Sequence, residues 1–217
     1  MSREAILNNV KDSLNRNKIS PKSESVAYIS PMKITEKDLY EEYKKNQLAN
    51  KSELYESSPD ELKNTLKEIF KVIDAKKIIC NNDIPFEING FDGYDISLYT
   101  DSVDENREEL FNTDTSIVVA RCGVANIGVV GLSSNSNAPR LSSLVTTNCI
   151  YLLERKNIVE NMFEATELIK KYEVERSGTS IIPTNIIFVA GPSRTADIEF
   201  QTVFGVHGPR RTFVVFY

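Results

Sequence analysis

The chain has 217 residues, 41% apolar and 26% charged, and its 31 acidic residues against 26 Lys and Arg leave a net charge of −5. That length sustains one sizeable core with a helical appendage, while the acidic balance argues against a binder of nucleic-acid backbones, which needs a cationic surplus to displace counterions. No run approaches eighteen consecutive apolar residues and the N-terminus has no signal-peptide core, so a cytoplasmic protein with no membrane segment is expected.

Residues 3–16 place Ile6, Leu7, Val10 and Leu14 on one narrow helical face. Pro21 and Pro31 among Ser and Lys mark 17–34 as a loop or linker. Residues 35–56 are mostly polar, with Leu39, Tyr43 and Leu48 as a thin stripe, and read as a peripheral helix with a solvated face. These segments form an N-terminal helical extension, residues 1–57, ahead of an α/β domain over 58–217. That domain opens with strong helix grammar: Ser58 as N-cap, Pro59 at the first helical position, Glu61 three residues after the cap, then Leu62, Leu66, Ile69 and Ile73 on one face. A helix over 59–75 follows.

Lys76–Cys80 reads as a short buried strand, 81–93 as loops, 95–100 as a strand and 104–111 as a short helix. The apolar β-branched runs of 114–131, interrupted at Gly123 and Gly128, lack polar alternation and suit strands covered on both faces. A polar loop over 132–139, a strand over 148–154, a helix over 157–172 capped by Asn157, a strand over 186–190, a helix over 193–205 and a last strand over 211–217 complete the pattern. Strands alternating with helices indicate βαβ units, hence an α/β fold with a mainly parallel sheet and helices on both faces. Cys80, Cys122 and Cys149 form no C-x-x-C pair, and three Cys with one His make four metal ligands only by coincidence of folding. They read as small buried hydrophobes, and no metal site is expected.

The chemistry concentrates in GPSRTADIEF, residues 191–200, which follows the apolar run 186–190. A helix starting near Ser193 at the carboxyl end of a strand directs its free N–H groups outward and makes an anion site. Gly191 permits the close turn, Ser193 and Thr195 offer hydroxyls, and Arg194 adds a planar fork for carboxylate or phosphate. The same residues also fit a structural role, with Ser193 as cap and Arg194 paired to Asp197 or Glu199. A second loop, VFGVHGPRR, carries Gly205, His207, Gly208, Arg210 and Arg211. Because a loop entering a parallel strand lies opposite one leaving it, His207 and Arg210 meet Ser193 only if the last strand is antiparallel or the short helix before it folds back. His207 is the weak candidate for a catalytic base, with a structural hydrogen-bonding role as its alternative. Gly128, with Asn126, is either a ligand-facing turn or a bulge, and Arg140 either reaches an anionic ligand or is a solvated arginine.

GPSRTADIE, GVHGP and the terminal strand, at this separation, closely resemble the C-terminal signature of the LUD-domain family of lactate-utilisation protein C (LutC) type. A less exact likeness runs through 112–150, and the helices at 3–16 and 59–75 are compatible with it. The resemblance implies a NagB/RpiA/CoA-transferase-like fold and a cytoplasmic role in oxidising L-lactate to pyruvate. It implies an accessory subunit that binds a small anionic ligand, partner subunits, or both, with the iron–sulfur clusters held by those partners and no cofactor by this chain. A stand-alone transferase or isomerase for a CoA- or phosphate-bearing substrate, and a structural interaction protein without ligand, are the alternatives. Where the family reads like AETGT this chain has Ala125-Asn126-Ile127-Gly128-Val129, and where it tends to PPxHI this chain has Thr146-Thr147-Asn148-Cys149-Ile150, losing an acid and a histidine. Gly128, Arg140, Ser193, Arg194, Thr195, Asp197, His207, Gly208 and Arg210 remain.

Overall fold

Successive residues of a strand leave opposite faces of its sheet, and in the central strands of this protein both faces are apolar. The computed structural model describes residues 2–16, 32–99, 107–180, 182–183, 185–196 and 201–217. Helices α1 (Arg3–Arg16) and α2 (Leu39–Ala49) come first, followed by β1 (Glu53–Glu56), α3 (Leu62–Ile73), β2 (Lys77–Cys80), β3 (Asp95–Leu98) and α4 (Arg107–Phe111). Then come β4 (Thr115–Val119), β5 (Cys122–Val124), β6 (Val129–Ser134), β7 (Asn148–Leu153), β8 (Ile158–Val159) and α5 (Met162–Ser177). The last elements are β9 (Asn185–Val189), β10 (Arg194–Ala196), β11 (Thr202–Phe204) and β12 (Arg211–Phe216).

The main sheet is parallel throughout, in the order β1-β12-β7-β4-β2-β3. On one face Ile78, Ile117, Ile150, Phe213 and Val215 pack against Leu62, Leu66, Ile69 and Phe70 of α3. On the other, Val118, Tyr151, Val214 and Phe216 meet Tyr43 of α2 together with Val130 and Leu132 of a second sheet. That sheet, ordered β8-β5-β6-β9, carries α5 on its far side through Ala165 and Ile169 against Cys122, Val124 and Val129. The expected parallel α/β architecture is therefore present, with one face of the main sheet shared between α2 and the second sheet.

Several local expectations change. Residues 35–56 hold not one peripheral helix but α2 and the edge strand β1, and Glu42, Tyr43 and Gln47 of α2 are buried. The polar stripe was misleading because those groups find internal partners: the Tyr43 hydroxyl accepts from Gln47 Nε2 at 2.9 Å, and Glu42 accepts from the Thr35 and Glu36 amides at 2.8 and 2.9 Å. Helix α5 starts four residues later than expected. Asn161, not Asn157, caps it by accepting from the Phe163 and Glu164 amides, both at 3.0 Å, and the β-branched pair Ile158–Val159 is taken up as β8 beside β5. Strand β6 runs on to Ser134, inside the expected polar loop. The N-terminal helix is present as α1, with Ile6 and Val10 each 51% exposed. Most of the expected 17–34 loop lies outside the described residues.

Helix α2 is tied to the second sheet at its C-terminal end. Asn46 Nδ2 donates to the Ala125 carbonyl at 2.8 Å, and Asn50 Nδ2 donates to the carbonyls of Ile127 and Gly128 at 2.9 and 2.6 Å. Two glycines allow this approach. Gly128 has φ +60° and a Cβ there would stand 2.4 Å from the Asn46 carbonyl carbon, while Gly191 has φ +73° and its Cβ would stand 2.0 Å from the Asn50 carbonyl oxygen. Gly191→Ala is expected to destabilise the protein by about 2 kcal/mol or more, read as a lower urea midpoint at unchanged slope. The hydrogen bonds from Thr35, Glu36 and Asn46 hold the Glu42 carboxyl down at about 2. A depressed carboxylate stabilises the fold above its unfolded-state value and loses that contribution as pH falls through the folded one. Stability should therefore drop between about pH 4.5 and 2, and Glu42→Gln should flatten this acid limb in pH-dependent urea melts.

Candidate functional site

The segment after β9 folds back as a hairpin. Strands β10 and β11 pair antiparallel, with Arg194 opposite Phe204, Thr195 opposite Val203 and Ala196 opposite Thr202. The helix expected over 193–205, and with it the anion site at its first turn, is absent. Thr195, Thr202, Val203 and Phe204 are β-branched or aromatic and prefer a pleated surface, and the amides that a helix start would leave free are engaged. Ser193 N donates to the Pro209 carbonyl at 2.8 Å, and Gly205 N donates to the Ser193 carbonyl at 3.0 Å. The Ser193 hydroxyl oxygen accepts from His207 N at 3.3 Å. Ser193 is thus the staple joining the two Gly-Pro loops, and the return of the chain brings it to His207 although β12 is parallel. The Arg194 guanidinium reaches the Ala190 carbonyl at 3.1 Å. Thr195 sits within the hairpin, and Asp197 lies outside the described residues.

Between this hairpin and the 3₁₀ turn Arg140–Ser143 opens a cleft of about 490 Å³. Leu141 and Leu144 form one side, and His207, Gly208 and Arg210 the other. Thr146 and Thr147 also line it, just ahead of β7, and Arg210 and Arg211 enter β12 by donating both their amides to the Thr147 carbonyl at 2.7 and 3.2 Å. The cleft therefore lies at the amino ends of the parallel strands, opposite the edge where the sequence pattern placed the site. Its charge is one-sided. No carboxylate lines it among the described residues. Arg211 is held by Glu53 at 2.8 and 2.9 Å, whereas exposed Arg210 has no carboxylate partner among the described residues. Thr146 Oγ1 is occupied by Ser116 Oγ and the Asn148 carbonyl, each at 2.8 Å. The rim is apolar and open, with Phe111 66%, Val206 51% and Phe204 41% exposed.

Three sequence candidates lie elsewhere. Gly128 and Gly191 are buried against α2 and serve its close packing, which leaves no room for a ligand at either backbone. Arg140 is exposed at the start of its 3₁₀ turn and borders a separate void of about 10 Å³ beside Asn81. All three cysteines are buried, and burial pushes the thiols of Cys80 and Cys122 up to about 12 and that of Cys149 up to about 11. They remain protonated near neutral pH and are poor ligands and nucleophiles.

At the carboxyl edge of the main sheet lies a polar cluster absent from the sequence candidates. Arg121 is only 3% exposed; its Nε donates to Ser133 Oγ at 3.0 Å, its Nη2 pairs with Asp83, and its guanidinium stacks 4.4 Å from the Tyr172 ring centre. Buried Glu173 accepts from Ser133, from Asn135 at 2.8 Å and from Arg176 at 2.9 Å. Burial works to raise the Glu173 carboxyl, but these donors and the Arg176 charge together hold it below the usual range. The signal was an arginine set inside the apolar run VVARCGV, since a charge in a buried strand requires a partner.

A family model described as the LUD domain matches residues 40–217. The chain is 25% identical over 223 residues to Lactate utilization protein C of Halalkalibacterium halodurans, covering 96% of this chain and 94% of that one. It is 28% identical over 166 residues to Lactate utilization protein C of Anoxybacillus flavithermus, covering 74% and 72%. A crystal structure of a DUF162 family protein from Deinococcus radiodurans superposes with a TM-score of 0.60 at 17% identity, over 85% of this chain and 99% of that one, and shares its fold. Among the described residues no helix is long and apolar enough to cross a membrane. Ser193→Ala removes the acceptor of the His207 amide and is expected to speed its hydrogen exchange, at a cost to global stability of about 1 kcal/mol or less.

Proposed function

From the premise that this chain belongs to the LUD domain family, we propose that it is an accessory subunit of lactate utilisation that holds a small carboxylate in the amino-edge cleft and presents that cleft to partner subunits. The observation that carries the reading is Arg210: an exposed guanidinium beside His207, on a cleft with no lining carboxylate among the described residues. A 2-hydroxy or 2-oxo carboxylate offers the planar pair of oxygens that a guanidinium fork takes up, and Leu141 and Leu144 suit its short apolar end. Lactate utilisation enters through relatives of that name, one of which aligns along nearly the whole chain.

The exposed Phe111, Phe204 and Val206 around the cleft support the docking half of the proposal, since grouped apolar side chains on a polar surface mark contact sites. On this reading electron transfer belongs to iron–sulfur partners. The dispersed, protonated thiols of this chain fit that division, and no group of three or more His, Cys, Asp or Glu suited to a metal occurs among the described residues. A stand-alone acyl or CoA transferase has less support, because no carboxylate nucleophile lines the cleft among the described residues. Nor does any hydrogen-bond partner among the described residues orient the His207 ring, as a general base requires.

Calorimetry with lactate and with pyruvate, on the chain alone and with its iron–sulfur partners, tests the proposal. Binding should weaken by about tenfold or more in Arg210→Ala, the cost of one charge-assisted contact. Phe204→Ser should reduce co-purification with the partners while leaving the melting curve of the isolated chain unchanged. Absence of both carboxylate uptake and partner binding would remove the reading.

A further inference from the structure

The carboxyl edge of the main sheet holds a second cleft, chemically unlike the first. From β2 the chain passes to β3 on one side of the sheet, and from β4 it passes to β7 on the other. The carboxyl ends of β2 and β4 thus flank a topological switch point, the place where open α/β sheets leave a crevice. Asp83 follows β2, Arg121 follows β4, and their ion pair spans this crevice. Above it is a cavity of about 440 Å³, within the range of small-molecule pockets, walled by Leu168 and Tyr172 of α5 and by Tyr217 after β12.

The groups facing this cavity define what it can hold. Asp83, Glu154 and Glu175 outnumber Arg121 and Lys171, so a free anion meets net repulsion here, the reverse of the amino-edge cleft. Burial pushes the Tyr217 phenol up to about 12, with Glu154 and Asp83 adding to it, so it stays a neutral donor and acceptor. Val119, Leu168 and the faces of Tyr172 and Tyr217 offer flat apolar surface. At the base, Arg121 has committed Nε to Ser133 and Nη2 to Asp83, and Asp83 Oδ1 is buried without a donor among the described residues. A half-satisfied buried ion pair favours a guest that supplies the missing donor.

We propose that this carboxyl-edge cleft binds an uncharged planar heteroaromatic ring of nucleobase type, stacked on the tyrosines and donating an amino or amide hydrogen bond to Asp83, as a base or nucleoside and not as a nucleotide. The proposal is independent of carboxylate binding at the amino edge. Titration of the full chain with adenosine, followed through backbone amide NMR shifts, should move Ala120, Arg121 and Tyr172, and AMP should bind several-fold more weakly. Tyr172→Ala should weaken adenosine by about tenfold, as loss of one stacking face does. Leu168→Trp, which fills the cleft from its wall, should abolish the shifts and serves if the first variant loses its dispersed spectrum. Silence with both adenosine and nicotinamide at millimolar concentration overturns the proposal, as does tighter binding of AMP or a response confined to residues 141–147 and 204–210.

Discussion

The position of β12 constrains everything else in this molecule. A strand from the far end of the chain is inserted between β1 and β7, so that β1 belongs to the sheet only through it. Phe213 and Val215 then complete one core face while Val214 and Phe216 complete the other. The insertion is secured from outside as well: the Ser52 and Thr212 hydroxyls lie 3.0 Å apart in the interior, and Arg211 grips Glu53. These contacts hold the entry of the strand, and the Tyr217 amide, donating to the Leu153 carbonyl at 3.2 Å, holds its exit, so its flanking residues are fixed too. Its entry carries His207 and Arg210 to the amino edge, and its exit carries Tyr217 to the carboxyl edge.

One strand therefore delivers residues to two clefts of opposite electrical character. The amino edge collects guanidinium and imidazole groups with no lining carboxylate among the described residues. The carboxyl edge collects carboxylates and phenols around an arginine already neutralised by Asp83. The clefts open at opposite edges of the sheet, and exposed charges separated by more than a Debye length, roughly 10 Å at 0.1 M salt, are largely screened from one another, so each edge keeps its own field. A protein with a net charge of −5 in this way carries a locally cationic cleft on an otherwise acidic chain.

Much of the fold was legible in the sequence because its signals are periodic. The apolar stripe Leu62, Leu66, Ile69 and Ile73 gave α3, and the unalternating runs around 115–119 and 148–153 gave buried parallel strands. The family signature in 191–217 was likewise local. What failed was non-local. Residues 193–205 have mixed propensity, and only contact with Pro209 and His207 decides for the hairpin. Gln47 looks solvated until Gly123 lets the Tyr43 ring lie against β5 and the Tyr43 hydroxyl accepts from Gln47 in the interior. Gly128 and Gly191 announced tight backbone, yet the sequence could not say that the close neighbour is α2. Ser193, His207, Gly208 and Arg210 do come together, but at the other edge of the sheet, since strand polarity and hairpin return are invisible to spacing.

The lone attachment of β1 has a consequence for biosynthesis. Glu53 and Arg211 are 158 residues apart, so at ordinary elongation speeds the β1 segment waits on the order of ten seconds for its mate to leave the ribosome. Over the last part of that interval, once β7 has emerged and before β12 follows, the nascent sheet displays the bare flank of β7, a largely apolar strand with unpaired backbone groups that neighbouring chains can capture.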